Sequence, residues 1–178
     1  MRYVIAGLAI VTACTPHPAT DDTAAPRVQT VRAEGMKGSF RVSGVTDAST
    51  TALSTSPVDA FQFLPLAYDS LSIPRTWVEP KQFLVSSQGF KVRARLGKTP
   101  LSRYIDCGST QIGANADSYD VFMTVTSRLT ANGAGSTLST TVEAASRPLS
   151  FSQDYSRCSS RGELEKRIGA IVKAALQK

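Results

Sequence analysis

Cysteine has the most reactive side chain in this sequence of 178 residues, and it occurs three times. Cys14 follows a short apolar run, whereas Cys107 and Cys158 stand far apart in the rest of the chain. Cys107 and Cys158 do not form a Cys-x-x-Cys motif, which argues against a redox-active pair. A zinc site would need a further thiolate or a usable histidine, and the single histidine, His17, lies in a polar stretch. We therefore predict no metal and no cofactor.

The segment before Cys14 has the pattern of an export signal. Arg2 supplies a positive charge, and Tyr3–Val11 is an apolar run of nine residues. A run of this length suits a signal peptide and is too short to span a bilayer, which takes about 20 residues. The alternative is a buried first strand or helix. Thr15-Pro16-His17-Pro18 follows at once and disfavours it, because proline continues neither element.

Val11-Thr12-Ala13-Cys14 resembles the lipobox of bacterial lipoproteins. The resemblance implies that the Cys14 thiol receives a diacylglyceryl group, that the chain is cut before it, and that the new amine is acylated, for example with palmitate. Thr15 follows the cysteine rather than aspartate, which by the same resemblance indicates the outer membrane, facing the periplasm. We expect residues 1–13 to be a signal peptide, residues 14–38 a lipidated cysteine with a flexible tether, and residues 39–178 one domain.

Export also decides what to expect of the two remaining cysteines. In an oxidising compartment, two leftover cysteines usually pair, so we predict a disulfide between Cys107 and Cys158 that ties the last helix to the sheet. Two separate buried thiols are the alternative.

Few side chains suggest catalysis. The chain has no Gly-x-Ser-x-Gly elbow and no phosphate-binding loop motif. Gly108–Gly113 contains glycine but joins two predicted strands, and it lacks the lysine and the following helix of a phosphate cradle. Isolated aspartates such as Asp106 more often stabilise turns than act on a substrate. We therefore predict that the protein is not an enzyme.

Basic residues form the remaining candidate site. Lys91, Arg93 and Arg95 alternate with apolar residues, so a period of two places them on one side of a strand, and Arg103 is close in sequence. One interpretation is a contact with an anionic surface, either lipid headgroups or an acidic partner protein. The other is a solvated strand face whose charges prevent edge-to-edge aggregation. Nucleic acid is not an expected partner, since the chain is predicted to be exported.

The first half of the domain combines short strands with a helix. Strands are predicted at 39–45 and 50–55. Ser56 and Pro57 have the types of a helix start, and Pro65 should kink that helix. The helix presents one apolar face made of Phe61, Leu64, Tyr68 and Leu71.

The second half is predicted as strands followed by a long helix. Strands are expected from Trp77, at 90–96 and at 101–107. The best hairpin joins residues 119–129 to 138–144 through a turn at 130–136 that contains Asn132-Gly133. Ser160-Arg161-Gly162-Glu163 is a capping box, and the apolar stripe after it predicts the C-terminal helix.

This order of elements predicts an α+β fold, with an antiparallel sheet, a kinked first helix and the C-terminal helix packed on one face. The arrangement resembles the helix-grip fold. Over residues 39–176 it also resembles the lipid-anchored repeated domain of BamC-type lipoproteins, with Phe61–Tyr68 as the first helix. That family serves as an accessory of outer-membrane barrel assembly and carries two such domains, whereas this chain has room for one.

Two functions follow as hypotheses. The first is a membrane-anchored accessory or scaffold module of the cell envelope, which binds a protein partner without catalysis. The second is a binding module that holds a lipid or another apolar small molecule between the C-terminal helix and the sheet. The inner-face side chains of the predicted hairpin are large enough to fill a small core, which favours the first.

Overall fold

The computed structural model describes residues 29–31, 40–42, 48–150 and 154–177. The strands are β1 Gln29–Val31, β2 Phe40–Val42, β3 Ser49–Leu53, β4 Trp77–Glu79, β5 Leu84–Arg93, β6 Arg95–Leu96, β7 Thr99–Pro100, β8 Ile105–Asp106, β9 Ser109–Thr110, β10 Gly113–Ala114, β11 Asp120–Asn132, β12 Gly135–Arg147 and β13 Ser156–Ser160. The helices are α1 Pro57–Phe61, α2 Leu64–Ser70, α3 Asn115–Ser118 and α4 Glu163–Ala175, and 3-10 turns occupy Pro80–Gln82 and Leu101–Arg103.

An antiparallel sheet of nine strands dominates the described residues, in the order β7-β6-β5-β11-β12-β13-β8, with β3 also paired to β12 and β4 to β5. Its centre is the β11–β12 hairpin, in which Asp120 lies opposite Arg147 and Asn132 opposite Gly135. Gly133 begins the two-residue turn with a φ of 58°, which suits a turn type with glycine in its first central position. The predicted hairpin is confirmed, although its turn is shorter and its strands, at 13 residues each, are longer than expected.

Alternation along the central strands separates two faces of the sheet. The face that carries Val121, Met123 and Val125 is buried, and we call it the inner face. The last helix, α4, lies on this face, with Leu164 and Ile168 fully buried. The α+β class is therefore confirmed, with the C-terminal helix packed against one side of an antiparallel sheet.

The kinked first helix is also confirmed. Ser56 caps α1, because its Oγ accepts a hydrogen bond from the Asp59 amide at 3.2 Å. The helix ends at Phe61, and α2 starts at Leu64 with Pro65 in its first turn, where proline costs no hydrogen bond.

A tyrosine joins α2 to the inner face. The Tyr68 hydroxyl is 3.1 Å from the Val85 carbonyl, to which it donates, and 3.1 Å from the Ser127 Oγ. Burial raises the pKa of Tyr68 above its ordinary value, against a smaller opposite effect of the Ser127 hydrogen bond. The Ser127 and Thr140 hydroxyls are 2.9 Å apart, so a small polar network replaces apolar contact at this point of the core.

Two predicted strands are wrong in part. The strand expected at 90–96 ends at Arg93, because Ala94 adopts a φ of 61° and the chain reverses into β6 and β7. The Leu101 amide bonds back to the Ala94 carbonyl at 2.9 Å and closes this reversal. The strand expected at 101–107 begins instead as a 3-10 turn, and only Ile105–Asp106 is extended.

The capping box predicted at Ser160–Glu163 is also wrong. Residues 156–160 form β13, which the polar sequence did not suggest, and Gly162 is the residue before α4. Ser160 Oγ instead accepts from the Gly162 amide at 3.0 Å and donates to Glu165 Oε1 at 2.5 Å. Ser160 therefore stabilises the turn before the helix, and its carboxylate partner is Glu165 rather than the predicted Glu163.

Candidate functional site

The predicted site residues divide into those inside and those outside the described part of the chain. Cys14, the predicted lipidation residue, lies outside it, as do the predicted signal peptide and most of the predicted tether. The structure describes both cysteines of the predicted disulfide and the four basic residues of the predicted anionic contact.

Cys107 and Cys158 form a disulfide, with their Cα atoms 4.3 Å apart. Cys158 lies within β13, opposite Ala144 of β12, and is buried. Cys107 directly follows β8, and Ser159 of β13 pairs with Asp106 of β8. The bond therefore joins two neighbouring strands at the edge of the sheet, rather than tying the last helix to the sheet as predicted.

The opposite side of the sheet, which we call the outer face, gathers basic residues from three strands around Asp120 of β11. The register places Lys91 opposite Phe122, and Arg93 opposite Asp120. On the other side of β11, Arg147 also lies opposite Asp120. Residues directly opposite in an antiparallel pair share a face, so these cations surround Asp120. Arg157 joins them, since it lies opposite Ala145, the residue that pairs with Phe122.

The contacts within this cluster are short. Lys91 Nζ is 2.8 Å from Asp120 Oδ2, and Asp120 is buried. The Arg147 guanidinium stacks 4.7 Å above the Tyr155 ring, which meets Phe122 edge-on at 5.1 Å. Burial raises the pKa of Tyr155, and Asp120 adds to this, while Arg147 and Lys91 act in the other direction. We call Lys91, Arg93, Arg147 and Arg157 the basic cluster.

The structure brings together three of the four basic residues predicted as one site. Lys91 and Arg93 share the outer face, and Arg95 of β6 lies opposite Arg93 across the chain reversal, where its Nη1 donates to the Lys98 carbonyl at 3.2 Å. Arg103 lies in a 3-10 turn, outside the sheet. The continuous alternation up to residue 96 hid the turn at Ala94, because alanine gives no signal for positive φ.

Arg147 and Arg157 were missed, for different reasons. A two-residue turn at Asn132-Gly133 would have set Ala145 opposite Asp120, whereas the turn at Gly133-Ala134 shifts the register by two residues and sets Arg147 there. Arg157 had no such signal, since β13 is a polar segment held by the disulfide and by its pairing with β12 and β8.

A polar cavity of about 620 Å³ lies where β13 leaves β12, at the start of α4. Its walls include Glu165, which is buried, and Arg161, which pairs with Asp106 at 2.9 Å. Ala48, the first residue described after a gap, stands at its rim. Among the described residues, no group of three or more His, Cys, Asp or Glu side chains is arranged to hold a metal ion.

The space between α4 and the sheet is filled by protein. Leu164, Ile168 and Val172 are fully buried, and Gly169 lies so close to β3 that a Cβ there would overlap the Thr51 side chain. The inner face meets them with its own buried apolar residues. Such direct contact leaves α4 packed on the sheet as in an ordinary protein core.

Comparisons with known proteins give no family. No protein-family model matches the chain, and no curated protein matches it. Within the residues that the structure describes, no helix has the length and apolar character needed to cross a membrane.

Proposed function

We propose that this chain is a lipid-anchored lipoprotein of the cell envelope that works as a non-enzymatic accessory or scaffold module. The observation that carries the proposal is the Cys107–Cys158 disulfide in a domain preceded by an export-like segment and Cys14. Disulfides persist in oxidising compartments and are rare in the bacterial cytosol, so the bond supports export. The Val11–Cys14 motif supports lipidation at the first mature residue.

The location proposed is the outer membrane, with the domain in the periplasm. It rests on Thr15 after the lipidated cysteine and on the Pro-containing stretch 15–26, which suits a tether between membrane and domain. The accessory role rests on the sequence, which lacks the nucleophile and phosphate-loop patterns named above. It also rests on the outer face, where charged and aromatic side chains are grouped for contact.

The alternative, an apolar ligand held between α4 and the sheet, is less well supported. Gly169 brings α4 into direct contact with Thr51, and the buried side chains of both layers meet there. Ligand cavities start near about 300 Å³, and the larger cavity described above is polar and lies at the end of α4.

The anchoring is tested by expressing the protein and its Cys14→Ser variant in a bacterial host, with and without globomycin, which inhibits the lipoprotein signal peptidase. We expect the wild-type protein to fractionate with membranes and to accumulate as a longer precursor under globomycin. The Cys14→Ser variant should lose lipid labelling. Unchanged mobility and unchanged membrane association in both treatments would overturn the lipoprotein proposal.

A further inference from the structure

We propose that the outer face of the sheet docks on anionic phospholipid headgroups, with the basic cluster as the electrostatic contact and Trp77 as an interfacial anchor. The inference deepens the proposed function and rests on it, because an anchored domain is held close to a membrane surface. Its physical test is independent of lipidation.

The strands fix where the charges lie. Lys91 and Arg93 of β5, Arg147 of β12 and Arg157 of β13 lie on one face, around Asp120. Three carboxylates share that face: Asp120, Glu143, which lies opposite Thr124 of β11, and Glu79, which lies opposite Leu84 of β5. Asp120 is neutralised by Lys91 at 2.8 Å. With Arg128 of β11 also on this face, five cations against three anions on β4, β5, β11, β12 and β13 leave the face positive, which complements a phosphate-rich surface.

The helices leave this face available. The buried side chains of α1, α2 and α4, among them Ala60, Leu64 and Ile168, belong to the core on the inner face. A membrane surface is broad and flat, and the outer side of an extended antiparallel sheet is broad as well. Lys91 and Arg93 are both exposed, and the side chain of Lys91 keeps 54% of its surface accessible.

The outer face also carries an exposed tryptophan. Trp77 of β4 lies opposite Ser86, which in turn lies opposite Thr126, a residue of the outer face. Its exposed fraction is 55%, high for such a large apolar side chain. Tryptophan prefers the headgroup region of a bilayer. The residue lies roughly 15 Å from Lys91 along β5, taking about 3.3 Å per residue, so one flat surface can meet both.

An acidic protein is the competing partner for the same charges. Lipid is favoured because the proposed anchor at Cys14 brings this domain to a membrane permanently. An exposed tryptophan on the same face as a basic cluster also suits a bilayer, whose headgroups are anionic and whose interior is apolar. Each basic residue near such a surface contributes about fivefold in partitioning.

The experiment uses the chain from residue 14 onward, which contains every described residue. It carries Cys14→Ser and is exported behind a cleavable signal peptide. It is mixed with vesicles of phosphatidylglycerol and phosphatidylethanolamine, or of phosphatidylcholine alone. Because the chain has one tryptophan, the emission of Trp77 reports on this face directly. We expect sedimentation with the anionic vesicles only, a blue shift of Trp77 emission, quenching by brominated lipid, and loss of binding in high salt.

The charge test compares two double variants that remove the same charge. Lys91→Gln with Arg93→Gln alters the outer face, whereas Lys166→Gln with Lys173→Gln alters exposed residues of α4, on the other side of the sheet. We expect the first to weaken partitioning about 25-fold, from the fivefold effect per residue, and the second by less than about threefold. Circular dichroism checks that both remain folded.

Three results would overturn the docking inference: no preference for anionic vesicles, binding without any change in Trp77 emission, or equal effects of the two double variants. Capture of an acidic protein by the Lys91–Arg93 surface without vesicle binding would also overturn it. Because the tested chain carries no lipid, a failure here leaves the lipidation proposal standing. A failure of Cys14 labelling in cells leaves the vesicle result standing.

Discussion

The two faces of the central sheet are formed by the same strands but differ in burial and polarity. On the inner face, Val121, Met123 and Val125 are buried beneath helices. On the outer face, the alternate positions hold Phe122, which is buried beside Tyr155, and then Thr124 and Thr126, which remain partly exposed. One residue of displacement along a strand therefore separates the core from a polar surface.

The comparison shows where stability and recognition are located. Burial of apolar area is the main favourable contribution to folding, so the inner face should be sensitive to single changes. Exposed polar positions usually tolerate substitution within about 0.5 kcal/mol, so the outer face is free to carry charges for contact. The predictions below test this division, beginning with the largest effect.

The largest effect is expected from the disulfide, whose Cys158 lies opposite Ala144 of the inner face. The bond closes a loop of 51 residues, and the chain-entropy estimate for such a loop is about 4 kcal/mol. Cys107→Ala with Cys158→Ala should lower the free energy of unfolding by an amount of that order in urea titrations. The wild-type protein under reducing conditions is the control and should lose about as much. A loss below about 1 kcal/mol in both would show that the edge of the sheet does not need the bond.

The next effect concerns the close approach of α4 to the inner side of β3. Replacing glycine by alanine within a helix normally stabilises it by about 1 kcal/mol. At Gly169 the added methyl group would overlap Thr51, and overpacking costs typically 1–3 kcal/mol. We therefore expect Gly169→Ala to destabilise the domain in urea unfolding.

A double-mutant cycle tests the contact between Gly169 and Thr51. Thr51→Ala removes two of the three Thr51 atoms that an alanine at 169 would meet, and leaves the Cβ at 3.0 Å. Gly169→Ala should therefore cost less in a Thr51→Ala background than alone. As a matched control, Ala170→Gly changes an exposed position of the same helix and should cost about 1 kcal/mol from helix propensity. Additive effects at 51 and 169 would contradict the proposed contact.

Much of the inner face could be predicted from the sequence because its signals are local. Apolar alternation around Val121 and Val142, a hairpin turn near Gly133 and the apolar stripe of α4 each follow from residues close in the chain, and the structure has all three, with the turn at Gly133-Ala134 rather than at Asn132-Gly133. The disulfide was predicted from the number of cysteines together with the predicted export signal, and it is present.

The outer-face cluster could be predicted only in part, because it is assembled from distant strands. Lys91 and Arg93 are neighbours in one strand, but Arg147 depends on the exact register of the hairpin and Arg157 on the placement of β13. Arg95 lies opposite Arg93 through a reversal of the chain rather than along one strand, and only the backbone angle of Ala94 shows that the strand has ended. Charged side chains carry no periodic burial signal by themselves, so pairing has to be known first.

The smallest effect comes from a matched pair of threonines, one on each face. Thr140 is buried on the inner face, with its hydroxyl 2.9 Å from Ser127, which also meets Tyr68. Thr126 lies on the outer face, with its hydroxyl 3.0 Å from Ser86. Valine has nearly the same shape as threonine, so Thr→Val removes a hydrogen bond at both positions with little change in packing.

The two faces should respond differently to that substitution. Thr140→Val leaves Ser127 with one partner fewer in a dry site, and an unsatisfied buried group costs about 1–3 kcal/mol. Thr126→Val also removes a partner of the buried Ser86 hydroxyl, but Thr126 itself is partly exposed and valine favours a strand, so we expect a smaller loss, of about 0.5–1 kcal/mol. Urea unfolding of both variants decides the matter. Equal losses of unfolding free energy would mean that hydrogen bonds on the outer face stabilise the fold as much as those of the core. Only the charged residues of the outer face would then be free to serve as a contact surface.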